Sequence, residues 1–194
     1  MGRRRLRYAV PVVLALGLVG ASLAIAAGQG PKQKHAVKHH SDRNQFETDL
    51  IGHNEVPVVH TKATGHLTLK VSDDQKSISY TLTYSGLNSA PLFSHVHVGQ
   101  PNVNGGVSFF LCGGGGKPAC PNDTSAGPVT GTVTAADVAG LGTQGMPAGN
   151  LDAILEEIRD GFAYANVHTQ TSPGGEIRGQ LDSSRHQGHD NDDD

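Results

Sequence analysis

The chain has 194 residues with 5% aromatic content and no Trp, and its 15 Lys plus Arg stand against 18 Asp plus Glu, a formal charge of −3. Four of those cations, Arg3, Arg4, Arg5 and Arg7, fall in the first seven residues, so 11 cations against 18 acids leave the remainder at about −7. That balance excludes a nucleic-acid binder built on clustered basic side chains, and the lack of Trp leaves no broad stacking platform for sugars or bases.

Met1 to Arg7 is a positively charged start, Tyr8 to Ala27 carries no charge, and Ala24-Ile25-Ala26 is a small-residue cleavage pattern. Residues 1–27 therefore read as a secretory signal peptide, and the protein is expected to be secreted or extracytoplasmic. The uncharged run approaches the roughly 20 residues of a membrane span, so an uncleaved segment would anchor the chain, the one membrane contact expected. Lys32 to His40 and Arg185 to Asp194 have little to bury, so 28–45 reads as a disordered spacer and 184–194 as a disordered acidic tail with His186 and His189. One folded domain is expected over 46–183.

Within it, short alternating segments follow one another. Asn54-Glu55-Val56-Pro57 reads as a strand-ending turn, since Pro cannot donate to a ladder. Leu67, Leu69 and Val71, then Ile78, Tyr80, Leu82 and Tyr84, alternate with polar residues on either side of Ser72-Asp73-Asp74-Gln75, the pattern of a hairpin with one wet face. His95 to Val98 and Val107 to Leu111 form the next strand pair, and Val129 to Val133 another strand. Thr134-Ala-Ala-Asp137 is a capping-box pattern for a short helical turn. Leu151 to Asp160 is a helix, with Asn150 as N-cap, Gly161 past its end and Leu151, Ile154, Leu155 and Ile158 on one stripe. The fold class is all-β: an antiparallel β-sandwich or Greek-key barrel with one or two short helices in its connections.

Cys112 and Cys120 flank Gly-Gly-Gly-Gly-Lys-Pro-Ala. Outside the cytosol such a pair is most simply a disulfide closing a glycine-rich ring, worth roughly 2–3 kcal/mol.

The last hairpin carries the densest chemistry. Ala163, Ala165 and Val167 alternate with Tyr164, Asn166 and His168, and Ile177 and Leu181 with Glu176, Arg178 and Gln180, across a turn at Pro173-Gly174-Gly175. Parity predicts Val167 opposite Ile177, His168 opposite Glu176 and Asn166 opposite Arg178, with Asn166, His168, Glu176 and Arg178 crowding a solvent-facing polar patch.

Phe46-x-x-x-Leu50-x-Gly-x-Asn-Glu55-Val-Pro57, His95-Val-His97-Val-Gly99, Tyr164-Ala-Asn166-Val-His168-Thr and Pro173-Gly-Gly-Glu-Ile-Arg-Gly-Gln180 together resemble the chordin-like (CHRD) domain over residues 46–181. The resemblance implies an extracellular all-β domain, found alone in many secreted bacterial proteins, with no agreed molecular activity. A non-enzymatic binding or surface-structural role follows, with an extracellular protein or envelope component as partner and no cofactor required.

His95, His97 and His168 supply the rival reading. Histidines at i and i+2 of a strand share a face, some 6–7 Å apart along it, and can close on one copper or zinc ion if His168 joins them. Glu176 is then placed to be a fourth ligand or an acceptor that orients His168. The plain alternative is that these histidines are neutral and hydrogen-bonded to loop backbone. The His-Val-His strand with a small loop disulfide also resembles copper/zinc superoxide dismutase, but the further histidines and the aspartate of that enzyme's metal-bearing loop are missing, which argues against redox catalysis. His53, His60 and His66 are expected at the surface.

Overall fold

The computed structural model describes residues 44–125 and 127–183; the expected signal peptide, nearly all of the spacer and the tail lie outside them. In chain order the strands are β1 (Gln45–Ile51), β2 (Thr64–Val71), β3 (Ser77–Ser85), β4 (Pro91–Val98), β5 (Gly106–Cys112), β6 (Val129–Thr134), β7 (Ala163–Thr169), β8 (Ile177–Gln180) and the short β9 (Asp182–Ser183), with helix α1 (Leu151–Arg159) before β7. All pairings are antiparallel, and they form a single sheet in the order β5-β4-β7-β8-β1-β2-β3-β6, with β9 beside β1. The fold is all-β, but of the two expected forms the two-sheet sandwich is not the one adopted. One sheet curls until β5 and β6 approach each other as a nearly closed barrel.

Alternation builds this sheet. In the β2–β3 hairpin Leu67 faces Leu82, Leu69 faces Tyr80 and Val71 faces Ile78, so the apolar set of both strands enters the interior together. The connecting turn is held by Asp74, whose Oδ1 accepts from Ser72 Oγ at 2.7 Å and from the Lys76 amide at 3.1 Å. The seam between β5 and β6 is bridged by side chains. Tyr80 of β3 lies against Gly131 of β6 and donates its hydroxyl to the Leu111 carbonyl of β5 at 2.8 Å. A Cβ at position 131 would stand 2.3 Å from that hydroxyl, so glycine is required there. Lys117, in the connection after β5, donates to the Thr132 carbonyl and to Asp137, each at 2.8 Å.

The helix forms as its sequence pattern expects. Asn150 Oδ1 accepts from the Ala153 amide at 3.2 Å, and Leu151, Ile154, Leu155 and Ile158 are buried in the same apolar core as the barrel interior. Gly161 follows in a left-handed conformation. The capping box at Thr134 closes one 3₁₀ turn, Ala135–Asp137, with Asp137 Oδ2 accepting from the Thr134 amide and hydroxyl.

Candidate metal centre

The β7–β8 hairpin has the expected register: Val167 pairs with Ile177, Asn166 with Arg178 and Tyr164 with Gln180. Val96, Val98, Ala163, Ala165, Val167 and Ile177 belong to the apolar core, so their alternating neighbours His95, His97, Tyr164, Asn166, His168 and Arg178 share the outer face of β4, β7 and β8. β4 and β7 are adjacent, with Phe93 opposite His168, His95 opposite Asn166 and His97 opposite Tyr164. His168 is thereby the diagonal neighbour of His95.

That outer face does not meet solvent, which corrects the expectation of an exposed patch. His95 is 3% exposed, His97 8%, His168 6% and Arg178 2%. Connections between strands cover them. The segment after β1 is pinned to the β4–β5 connection by Asn104, which donates to the Val56 carbonyl at 3.1 Å. The Gly105 amide donates to the Tyr164 hydroxyl at 3.1 Å. On the other flank the ring closed by the Cys112–Cys120 disulfide folds down so tightly that a Cβ at Gly114 or Gly115 would stand 2.5 and 2.7 Å from the Phe110 ring. Glycine is used here for close approach as well as for freedom.

Buried polar groups need partners, and most have them. Arg178 lies 3.4 Å over the Tyr164 ring and donates to Asn104 Oδ1 at 3.2 Å and to the Val103 carbonyl at 2.9 Å. Glu176 is fully buried and accepts from Thr61 and the Asn88 amide on one oxygen and from Thr169 on the other. It is thus neither the fourth ligand nor the orienting acceptor of His168, nor the partner of Arg178. It precedes β8 instead of pairing with His168, its amide donating to the Val167 carbonyl at 2.8 Å. The acid that does face this cluster is Glu55, from the strand-ending turn. Its sole sequence signal is its place in the Asn-Glu-Val-Pro motif. It is 5% exposed and lies on Gly175, where a Cβ would stand 2.3 Å from its Oε1. Burial raises its pKa to about 7, against the opposing pull of Arg178, Asn166 and the Val56 backbone.

Among the described residues, the buried side-chain polar atoms without a hydrogen-bond partner are Glu55 Oε1, His95 Nδ1, His97 Nε2, Asn166 Oδ1 and His168 Nε2. All five residues belong to this one cluster. His97 Nδ1 faces the Gly105 carbonyl and His168 Nδ1 the Pro173 carbonyl, each at 2.9 Å. Those carbonyls can only accept, so Nδ1 carries the proton and each Nε2 presents a lone pair. Burial, reinforced by repulsion from His97 and His168, drives His95 down to about 2. Burial likewise takes His97 to about 4 despite the Gly105 carbonyl, and lowers His168. All three imidazoles are neutral at pH 7, the form that binds metal.

One ring nitrogen from each of His95, His97 and His168 lies within 4.8 Å of the others. Three nitrogens about 2.0 Å from a trigonal ion lie about 3.5 Å apart, so the rings need to close by about 1 Å. Aromatic rings wall the cluster: Tyr164 stacks on His97 at 4.5 Å, Phe93 lies 4.7 Å from His168, and Phe110 meets His95 edge-on at 5.1 Å. Backbone carbonyls that accept from the second ring nitrogen are usual outer partners of metal-bound histidine. His53 and His60 are exposed as expected, and His66 is half-exposed beside Asp49 at 2.8 Å.

The fold and the site together define an extended-loop β-barrel domain with a buried histidine cluster on its outer face. The family model of the CHRD domain matches residues 46–181, and the chain belongs to that family. No curated protein and no solved structure matches the chain.

Proposed function

We propose that this is an exported, non-enzymatic CHRD-domain protein whose binding role is to hold a transition metal ion, copper or zinc, on His95, His97 and His168. The observation that carries this is the convergence of three neutral, buried imidazoles, each with an unpartnered nitrogen, within one cluster. A hydrogen-bonding role in the loops accounts for Nδ1 of His97 and His168 and leaves their Nε2 atoms without purpose. Membership of the family supports an extracellular domain in general terms. Burial of the ligating atoms leaves no open position for a substrate, which supports holding over catalysis.

The test is metal analysis of protein made without a histidine tag, with His35, His39, His40, His186 and His189 replaced by Ala to remove adventitious ligands. One equivalent of metal, lost when His97→Ala and His168→Ala are combined in a folded variant, is expected. Folded protein that takes up no copper or zinc, or a double variant that keeps its metal, overturns the reading.

A further inference from the structure

Copper and zinc differ in the charge and the coordination number they demand, and this site meets the demands of one of them. We infer that the cluster is built for monovalent copper, Cu(I), and discriminates against Zn(II); the inference rests on the metal reading of His95, His97 and His168.

The ligand count comes first. Among the described residues the ligating group consists of three histidines with no carboxylate or thiolate. Glu55 faces the cluster but is not part of that converging group, Glu176 is engaged by Thr61, Asn88 and Thr169, and the two cysteines are joined to each other. Zn(II) completes a tetrahedron, with water where the protein supplies three ligands. Here His95 Nδ1, His97 Nε2 and His168 Nε2 each expose less than 1 Å², and Phe93, Phe110 and Tyr164 stand around them. The burial of these nitrogens and the rings around them disfavour a fourth, aqueous ligand. Cu(I), a closed-shell d¹⁰ ion, is content with three imidazoles in a plane.

Charge points the same way. The imidazoles are neutral ligands, and the charged side chains that face the cluster are Glu55 and Arg178, one of each sign. Glu55 can at most balance Arg178, so no anionic excess compensates a bound cation. The solvation penalty of an ion in a poorly polarisable site rises with the square of its charge, so a dication incurs about four times the cost of a monocation of the same size. Cu(II) shares this penalty with Zn(II), and its tetragonal preference asks for a fourth in-plane ligand.

The experiment titrates metal-free full-length protein, carrying the five spacer and tail His→Ala replacements, under anaerobic conditions. Cu(I) is presented in competition with bicinchoninate, and Zn(II) in competition with a chromophoric zinc chelator. One equivalent of Cu(I), held at least a hundredfold more tightly than Zn(II), is expected, with an X-ray absorption spectrum of three nitrogen neighbours. Zn(II) bound as tightly as Cu(I) overturns the inference and leaves the metal reading standing. Failure of both ions to bind folded protein overturns both. A four-coordinate copper spectrum also overturns the inference, and it needs no variant that risks unfolding.

Discussion

Replacing Glu55 by Gln should stabilise the metal-free domain, and by an amount that depends on pH in a calculable way. Glu55 is 5% exposed, and burial outweighs the nearby Arg178 charge to bring its carboxyl from 4.5 to about 7. A carboxyl whose folded-state pKa is raised contributes stability below its unfolded pKa and loses it as pH rises through the folded value. Working the linkage from 4.5 and about 7, the folded state is penalised by about 1 kcal/mol at pH 5 and about 3 kcal/mol at pH 8. Gln keeps the shape, cannot ionise, and brings an amide donor into a cluster where Asn166 Oδ1 lacks a partner. The difference in unfolding free energy between Glu55→Gln and the parent should therefore grow by about 2–3 kcal/mol from pH 5 to pH 8. Urea unfolding followed by far-ultraviolet circular dichroism, with chelator present, measures it. Histidine titration is common to both proteins and cancels in the difference. A pH-independent difference would refute the raised pKa. A variant that becomes less stable than the parent as pH rises would show that the ion pair with Arg178 wins over burial.

Three further outcomes follow from the same geometry. In the Glu55→Gln background the metal-free domain should lose stability as pH falls, because His95 and His97 are depressed to about 2 and about 4. Their contribution is complete above the unfolded pKa near 6.5 and declines by about 3–4 kcal/mol between pH 7 and pH 5, and a flat denaturation profile over that range would contradict it. Replacing both Cys112 and Cys120 with Ser should cost about 1–3 kcal/mol without unfolding the barrel, checked by denaturant titration, while the parent resists thiol labelling until reduced. Gly175→Ala should cost about 2–4 kcal/mol in the same assay, since φ is +125° there and the new methyl would meet the Glu55 carboxylate.

Parity made much of this domain legible. The Val167–Ile177 register follows from matching apolar sets across Pro173-Gly-Gly, and the outward position of all three histidines follows from their valine neighbours. The neighbourhood of β4 and β7 does not follow, because their pairing spans the whole of β5, β6 and α1, and no local pattern encodes it. Alternation also looks the same in a sandwich and in a curled single sheet, so the strand order had to come from the structure. The sharpest departure is the polar face of β7. A period of two separates two faces without saying what lies on either, and here connecting segments bury the second face almost as fully as the core buries the first. The same holds for Glu55: it stands in a turn two residues before a proline and becomes a buried acid only when that turn lies down over the sheet.

The open seam of the barrel bears on pairing between exposed strand edges. A sheet that stops short of full closure leaves two outer strands whose backbone groups can template pairing with another molecule. Here β5 and β6 turn those groups toward each other, and Tyr80 reaches across them to the Leu111 carbonyl. Gly131 is the gap that lets the tyrosine lie there. A side chain at that position would meet the Tyr80 hydroxyl and ring and loosen the contact that ties the two edges together.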